Sequence, residues 1–182
     1  VRKFAIETSF VDISALEAVE ESINSRTKMI YCESVSNPLL EVADIEALAK
    51  LAKEYNIPLV VDNTFSPLSI APSKLGADVV IHSLTKFING TSDCVAGAVC
   101  GTTEFCLSLK DVNNGAGMLF GSTLDSLRAA SILKNMRTLH IRMQKHSHNA
   151  MYLAQKFEAD RFRVVYPGLK SHSGHETMKK QM

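Results

Sequence analysis

A chain of 182 residues, 46% hydrophobic and 21% charged, has the composition of a globular protein with one domain, or one domain and an attached piece. Its formal net charge of +1 gives no general electrostatic reason to expect nucleic acid or an anionic membrane as partner. The apolar runs fall far short of the ~20 residues that span a bilayer, and V-R-K-F-A-I-E-T-S-F at the start lacks the apolar stretch of a signal peptide. A chain of this size can bury roughly 70% of its unfolded surface and needs no covalent staples. Cys32, Cys94, Cys100 and Cys106 show no C-x-x-C spacing, and each lies in or beside an apolar segment. They read as reduced core or near-core thiols of a cytoplasmic protein. A start on Val1 rather than Met and an end on K-K-Q-M read as the ends of a fragment.

In chain order, S-A-L-E at 14–17 has the form of a capping box, with Ser14 at the N-cap and Glu17 three residues later. Leu16, Val19 and Ile23 follow at helical spacing. K-M-I-Y-C-E predicts a short strand ending at Glu33, and S-V-S-N-P-L-L a loop in which Pro38 blocks a ladder. Asp44 is placed to cap a second helix, whose Ile45, Leu48, Ala52 and Tyr55 share a face. I-P-L-V-V-D has apolar side chains for both faces, as in a central parallel strand covered by helices. A-P-S-K-L-G at 71–76 predicts a short helix closed by Gly76. A-D-V-V-I-H predicts another buried strand, and C-V-A-G-A-V-C-G one with small residues.

This alternation over 1–101 argues for α/β architecture. From Ser122 to about Glu158 the pattern is helical throughout. One straight helix there would be about 55 Å long, so a break is expected near Thr138–Ile141, where β-branched residues cluster. R-F-R-V-V-Y-P-G predicts a strand opening a new unit. The expected organisation is a binding-domain part over 1–121, a connecting helical segment over 122–160 and the beginning of a C-terminal domain over 161–182.

In parallel α/β sheets ligands gather outside the carboxyl ends of strands. Asn37 follows the first strand, Asp62 ends the second, and Ser83, Thr85 and Lys86 follow the third. An aspartate after V-V is commonly a turn residue, and S-x-T-K alone is commonplace. Their coincidence at consecutive strand ends is what points to a site. A lysine amine can form a Schiff base with an aldehyde. Neighbouring hydroxyls can donate to a phosphate, and a carboxylate on an adjacent strand can keep a ring nitrogen protonated. Aldehyde, phosphate and ring nitrogen together describe pyridoxal 5'-phosphate.

V-V-D-N-T-F at 60–65 and H-S-L-T-K-F-I-N-G-T-S-D-C-V-A-G-A-V at 82–99 closely resemble the Cys/Met-metabolism family of pyridoxal-phosphate enzymes. That family includes cystathionine γ-synthase, cystathionine lyases and methionine γ-lyase. E-S-V-S-N-P at 33–38, L-G-A-D at 75–78, R-M-Q-K-H at 142–146 and Y-P-G-L at 166–169 extend the resemblance over nearly the whole chain. It implies a central part of the fold-type I, aspartate aminotransferase-like large domain, with a mainly parallel sheet, flanking helices and the start of a C-terminal domain. It also implies that Lys86 is the Schiff-base lysine and catalytic base, and that Asp62 partners the pyridine nitrogen. Ser83 and Thr85 would bind the phosphate, and Asn37 would lie near the phenolic oxygen. The activity implied is that of a lyase or transferase: γ-elimination or γ-replacement on methionine, cystathionine or an O-acyl-homoserine, slightly closer to methionine γ-lyase-like members. Family members are much longer chains and assemble as homo-oligomers, dimers or tetramers. Their flanks supply further cofactor and substrate contacts, so a poorly active piece is expected.

Other readings are weaker. G-A-G-M-L-F-G at 115–121 imitates a nucleotide-binding glycine pattern, but L-K-D-V-N-N precedes it instead of a strand. His146 and His148 are two apart on a helix and point to different sides, so no metal site is expected. Met118, Met136, Met143 and Met151 read as ordinary packing. The alternative to an enzyme is a non-catalytic α/β fragment or degenerate paralogue that acts only as a structural or assembly module.

Overall fold

Three apolar strands lie parallel and side by side in the computed structural model, which describes residues 4–182. They are β1 (Ile30–Glu33), β2 (Leu59–Asp62) and β3 (Val79–Ser83). The first three residues, with the start of the 1–121 unit, lie outside the described residues. Leu59, Val60 and Val61 are all buried, so β2 is covered on both faces as a central strand must be. The register pairs Glu33 with Asp62 and Asp62 with Ile81, which brings the polar carboxyl ends of the strands into one row. A fourth strand, β4 (Gly97–Cys100), closes the sheet by running antiparallel to β3, with Ser83 opposite Gly97. The fold is therefore α/β with a mainly parallel sheet. β4 is more exposed than its small residues suggested, with Val99 at 47% and Cys100 open to solvent.

Helices pack against this sheet. α1 (Leu16–Glu21) contributes Val19 to the core, and α2 (Ile45–Glu54) contributes Ile45, Leu48, Leu51 and Ala52. The Asp44 carboxylate accepts from the Ala47 amide at 3.0 Å, satisfying one of the free N–H groups that open α2. Tyr55 lies just past the last turn and is partly exposed, so the helix's inner stripe ends at Ala52. The capping box at α1 does not form. Asp12 takes both the amide and the hydroxyl of Ser14, at 2.9 and 2.6 Å, so the Ser14 side chain is spent on the preceding turn. A 3-10 turn over Pro72–Leu75 ends on Gly76, whose φ of +102° suits glycine and whose missing side chain lets Ala49 approach.

Beyond β4 come α3 (Thr103–Ser108), α4 (Ala116–Leu119), α5 (Ser126–Met136) and α6 (Leu139–Ala159). The expected break falls at Arg137 and Thr138, between α5 and α6. The predicted strand at R-F-R-V-V-Y-P-G does not form. Phe162 and Val165 remain exposed there, because no strand among the described residues offers them a ladder. The chain then returns to the sheet. α7 (His175–Gln181) docks on α2, where the buried Gln181 amide donates to Ala43 O at 2.9 Å and accepts from Ile45 N at 2.8 Å. Met178 packs on the same core, as does Ile23.

Two of the packing expectations hold only in part. Cys32 and Cys94 are buried, whereas Cys100 is exposed and Cys106 intermediate. Burial pushes the Cys32 thiol up to about 12, so it stays protonated and inert. Met143 is a core residue, but Met118 and Met136 lie at the surface. Among the described residues no helix is long and apolar enough to cross a membrane.

Candidate functional site

The row of strand ends opens into a cleft of about 730 Å³, lined by Asn37, Asp62, Ser83, Thr85 and Lys86. All five residues singled out in the sequence thus meet in one place. Phe65 and Phe87 supply its apolar wall, with ring centroids 6.1 Å apart in an edge-to-face arrangement.

Asp62 sits on the last residue of β2, and two donors fix its carboxylate. The Thr64 amide donates to one oxygen at 2.9 Å and the Tyr31 hydroxyl to the other at 3.2 Å. Burial, with the Asp62 charge as a second cause, pushes the Tyr31 phenol up to about 12, so it remains a donor at neutral pH. Thr64 also ties the two strand ends together, because its hydroxyl accepts from the Ser83 amide at 2.7 Å. On β1, Glu33 holds the loop that carries Asn37 by accepting from the Asn37 amide at 2.7 Å.

Lys86 lies in a π-helical turn, Leu84–Ile88, that follows β3 directly. Its own ψ of −125° is non-helical, so the turn changes direction at the lysine. The side chain is exposed to the cleft, and its amine forms no ion pair among the described residues. Thr85 behaves differently from Ser83. Its hydroxyl accepts from the Ala96 amide at 2.9 Å and donates to the Ala96 carbonyl at 3.2 Å. It therefore fastens the lysine turn to the approach to β4, and giving its proton to a ligand would require the hydroxyl to rotate. One residue back, His82 lies on the opposite face of β3 from Ser83. Its Nδ1 is buried without a hydrogen-bond partner among the described residues, and desolvation lowers its pKa.

Arg142 and His146 also line the cleft, and sequence reasoning gave them no role. They come from α6, more than fifty residues after the lysine turn, so no local pattern ties them to it. The four-residue spacing that places both on one helical face was their available signal. Among the described residues no cluster of histidine, cysteine and carboxylate side chains could hold a metal ion.

A carboxylate held at one strand end, a hydroxyl at the next and an amine on the following turn thus share one cleft at the carboxyl edge of an α/β sheet. The chain belongs to the Cys/Met metabolism PLP-dependent enzyme family, whose model matches residues 1–182. A methionine γ-lyase of Arabidopsis thaliana is 44% identical over 96% of this chain and 40% of its own length. A cystathionine γ-lyase of Dictyostelium discoideum is 42% identical over 98% of this chain and 46% of its own. The crystal structure of cystathionine γ-lyase from Lactobacillus plantarum complexed with L-serine superposes with a TM-score of 0.92 at 34% identity. It covers all of this chain and 48% of that one. The chain thus spans under half the length of the relatives it matches.

The residues present fit the family's cofactor. The fixed carboxylate suits a ring nitrogen, the unengaged amine suits an aldehyde, and the apolar wall of Phe65 and Phe87 suits a planar ring between them.

Proposed function

We propose that this sequence carries the lysine side of the active site of a pyridoxal-phosphate-dependent lyase or transferase acting on sulfur amino acids. The observation that carries the reading is the convergence of Asp62, Ser83 and Lys86 on one cleft at the carboxyl ends of β2 and β3. The reaction class is γ-elimination or γ-replacement, with methionine, cystathionine or an O-acyl-homoserine as substrate. The 44% identity to a methionine γ-lyase favours the first of these. Divisions at 121 and 160, a homo-oligomeric dimer or tetramer and a cytoplasmic setting complete the reading.

The cofactor, when bound, supplies an electrophilic aldehyde and a conjugated ring that withdraws electrons from the substrate's α-carbon. Asp62, fixed by Thr64 and Tyr31, would hold a proton on the ring nitrogen and so keep that withdrawal strong. Ser83 would donate its hydroxyl to the phosphate, and Thr85 would do the same once its hydroxyl turned away from the Ala96 carbonyl it now serves. Asn37, on the loop that Glu33 holds, would lie near the phenolic oxygen. The Lys86 amine would take the proton from the substrate's α-carbon and, in γ-chemistry, would also carry away a proton from the β-carbon, which frees the electron pair that expels the γ-substituent. Holding that amine beside the carbon makes the transfer effectively intramolecular, which can lower a barrier by several kcal/mol. A second reading, a non-catalytic assembly module, draws on Thr85's hydroxyl being engaged by Ala96.

Reductive trapping separates the two. The purified chain is mixed with pyridoxal phosphate, reduced with borohydride, digested and mapped by mass spectrometry. Selective label on Lys86, lost in Lys86→Arg, is the expected result. Label scattered over surface lysines at the level of the Arg variant would leave the module reading in its place.

A further inference from the structure

The turn that carries Lys86 is not closed by its own hydrogen bonds alone. The Asn89 amide donates to Leu84 O at 2.9 Å and the Gly90 amide to Lys86 O at 2.8 Å. The carbonyls of Phe87 and Ile88, the two residues after the lysine, are left for another donor. Arg142 supplies it: Nη1 donates to Phe87 O at 2.6 Å and Nη2 to Ile88 O at 3.0 Å. The same guanidinium donates to Asn135 O at 3.3 Å and, through Nε, to the Thr138 hydroxyl at 3.1 Å. It therefore ties the lysine turn to the joint between α5 and α6. No carboxylate pairs with it among the described residues, so its charge is spent on carbonyl oxygens.

Two further features show that the space is shaped for this fork. Gly90 has a φ of +77°, and a β-carbon there would run into the Arg142 guanidinium. One helical turn along α6, His146 packs edge-on against the Phe87 ring at 5.6 Å. Phe87 is thus gripped at its carbonyl by Arg142 and at its ring by His146.

We infer that Arg142 is a positioning residue for Lys86: by holding the Phe87 and Ile88 carbonyls it sets the direction from which the lysine amine enters the cleft. The inference rests on the proposed role of Lys86 and adds the device that aims it. It also links the lysine to the α5–α6 joint, so a movement of that joint is transmitted to the amine through one side chain.

The test uses Arg142→Met and Arg142→Lys with two readouts. The first needs no cofactor: hydrogen exchange at the Asn89 and Gly90 amides. Loss of a charge-assisted hydrogen bond should speed both by roughly tenfold or more in Arg142→Met. Exchange in β1–β3 should stay unchanged. Arg142→Lys, which keeps the charge but not the fork, should fall between the two. The second readout is the share of reductive pyridoxal-phosphate label found on Lys86, which should drop in the same order. A purely structural role would lower the melting temperature and loosen β1–β3 together with the turn. Unchanged exchange at Asn89 and Gly90 overturns the inference, as does loosened exchange with full labelling at Lys86. If Arg142→Met does not fold, Arg142→Lys decides alone. If the parent chain takes no label at Lys86, the proposed function fails, while amide exchange still judges the clamp by itself.

Discussion

The molecule is held together differently on its two sides. Under α1 and α2 the core is large and apolar: Val19, Ile45, Leu48, Leu59 and Val61 are all essentially inaccessible to water. Under the lysine turn the buried cluster is small, consisting of Ile88, Cys94, Ile132, Leu139 and Met143. A ring of directed polar contacts borders it. Asn89, 1% exposed, donates to Asp93 at 2.8 Å and accepts from Asn135 at 2.9 Å, and Arg142 adds its carbonyl contacts. Apolar burial is strong but non-directional, at about 25 cal/mol per Å². Hydrogen bonds contribute less net energy but fix angles and distances. The first side suits a platform, and the second suits a turn whose amine must point one way.

That contrast breaks or sharpens under mutation. Leu48→Ala should have the largest effect, a loss of about 2–5 kcal/mol in urea unfolding, since Leu48 is 1% exposed and fully enclosed. It should leave exchange in the Lys86 turn close to normal under native conditions. If the turn loosened as much as the sheet, the two regions would be one cooperative unit and the contrast would be lost.

Next come two buried amides, one on each side. Gln181→Ala should cost about 1–3 kcal/mol, because it leaves the buried Ala43 carbonyl and Ile45 amide without hydrogen bonds. Asn89→Ala should cost less, because its partners Asp93 and Asn135 remain within reach of water. Their local signatures should differ. Asn89→Ala should speed exchange at the lysine turn, and Gln181→Ala should release α7 and expose the first turn of α2. Identical exchange maps for the two variants would contradict the division.

The platform was far more legible in the sequence than the turn. β1, β2, β3 and α2 announce themselves by apolar runs, helical spacing and the Asp44 cap, all local signals. The break between α5 and α6 was readable because β-branched residues cluster there. Misreadings arose where a local signal had a rival or lacked a partner. Ser14 looked like a cap, but Asp12 two residues earlier captures it. R-F-R-V-V-Y has strand composition, yet a strand needs a neighbour. The exposure of Cys100 and Met118 depends on what covers β4 and α4, which no spacing records. For the site, Asn37, Asp62, Ser83, Thr85 and Lys86 were visible because strand ends are predictable places for polar residues. That Thr85 binds Ala96, and that Arg142 grips the turn, depend on tertiary proximity between distant segments.

Asp44→Ala is expected to have a smaller effect, about 1 kcal/mol, through loss of the bond to the Ala47 amide. Thermal unfolding with circular dichroism would read it as a modest shift with unchanged helix content at 20 °C. The serine that only resembled a cap supplies the control: Ser14→Ala should shift the transition less. An equal shift would mean that Ser14 caps α1 in solution after all.

The smallest effect should come from the ion pair beside Gln181. Lys180 and Glu46 meet at 2.7 Å, but their side chains are 62% and 38% exposed, so water and salt screen the attraction. The hydrogen bond from Lys180 is the first cause holding the Glu46 carboxyl below its ordinary value. Whatever the pair contributes is therefore present at neutral pH and lost as the pH falls through that lowered value. Lys180→Ala should leave the urea midpoint unchanged within error at physiological salt. A small difference should emerge only at low ionic strength and disappear in acid. A loss at physiological salt as large as that of Gln181→Ala would show that α7 docks through its charges, and the account of the platform side as held by burial and buried amides would have to be withdrawn.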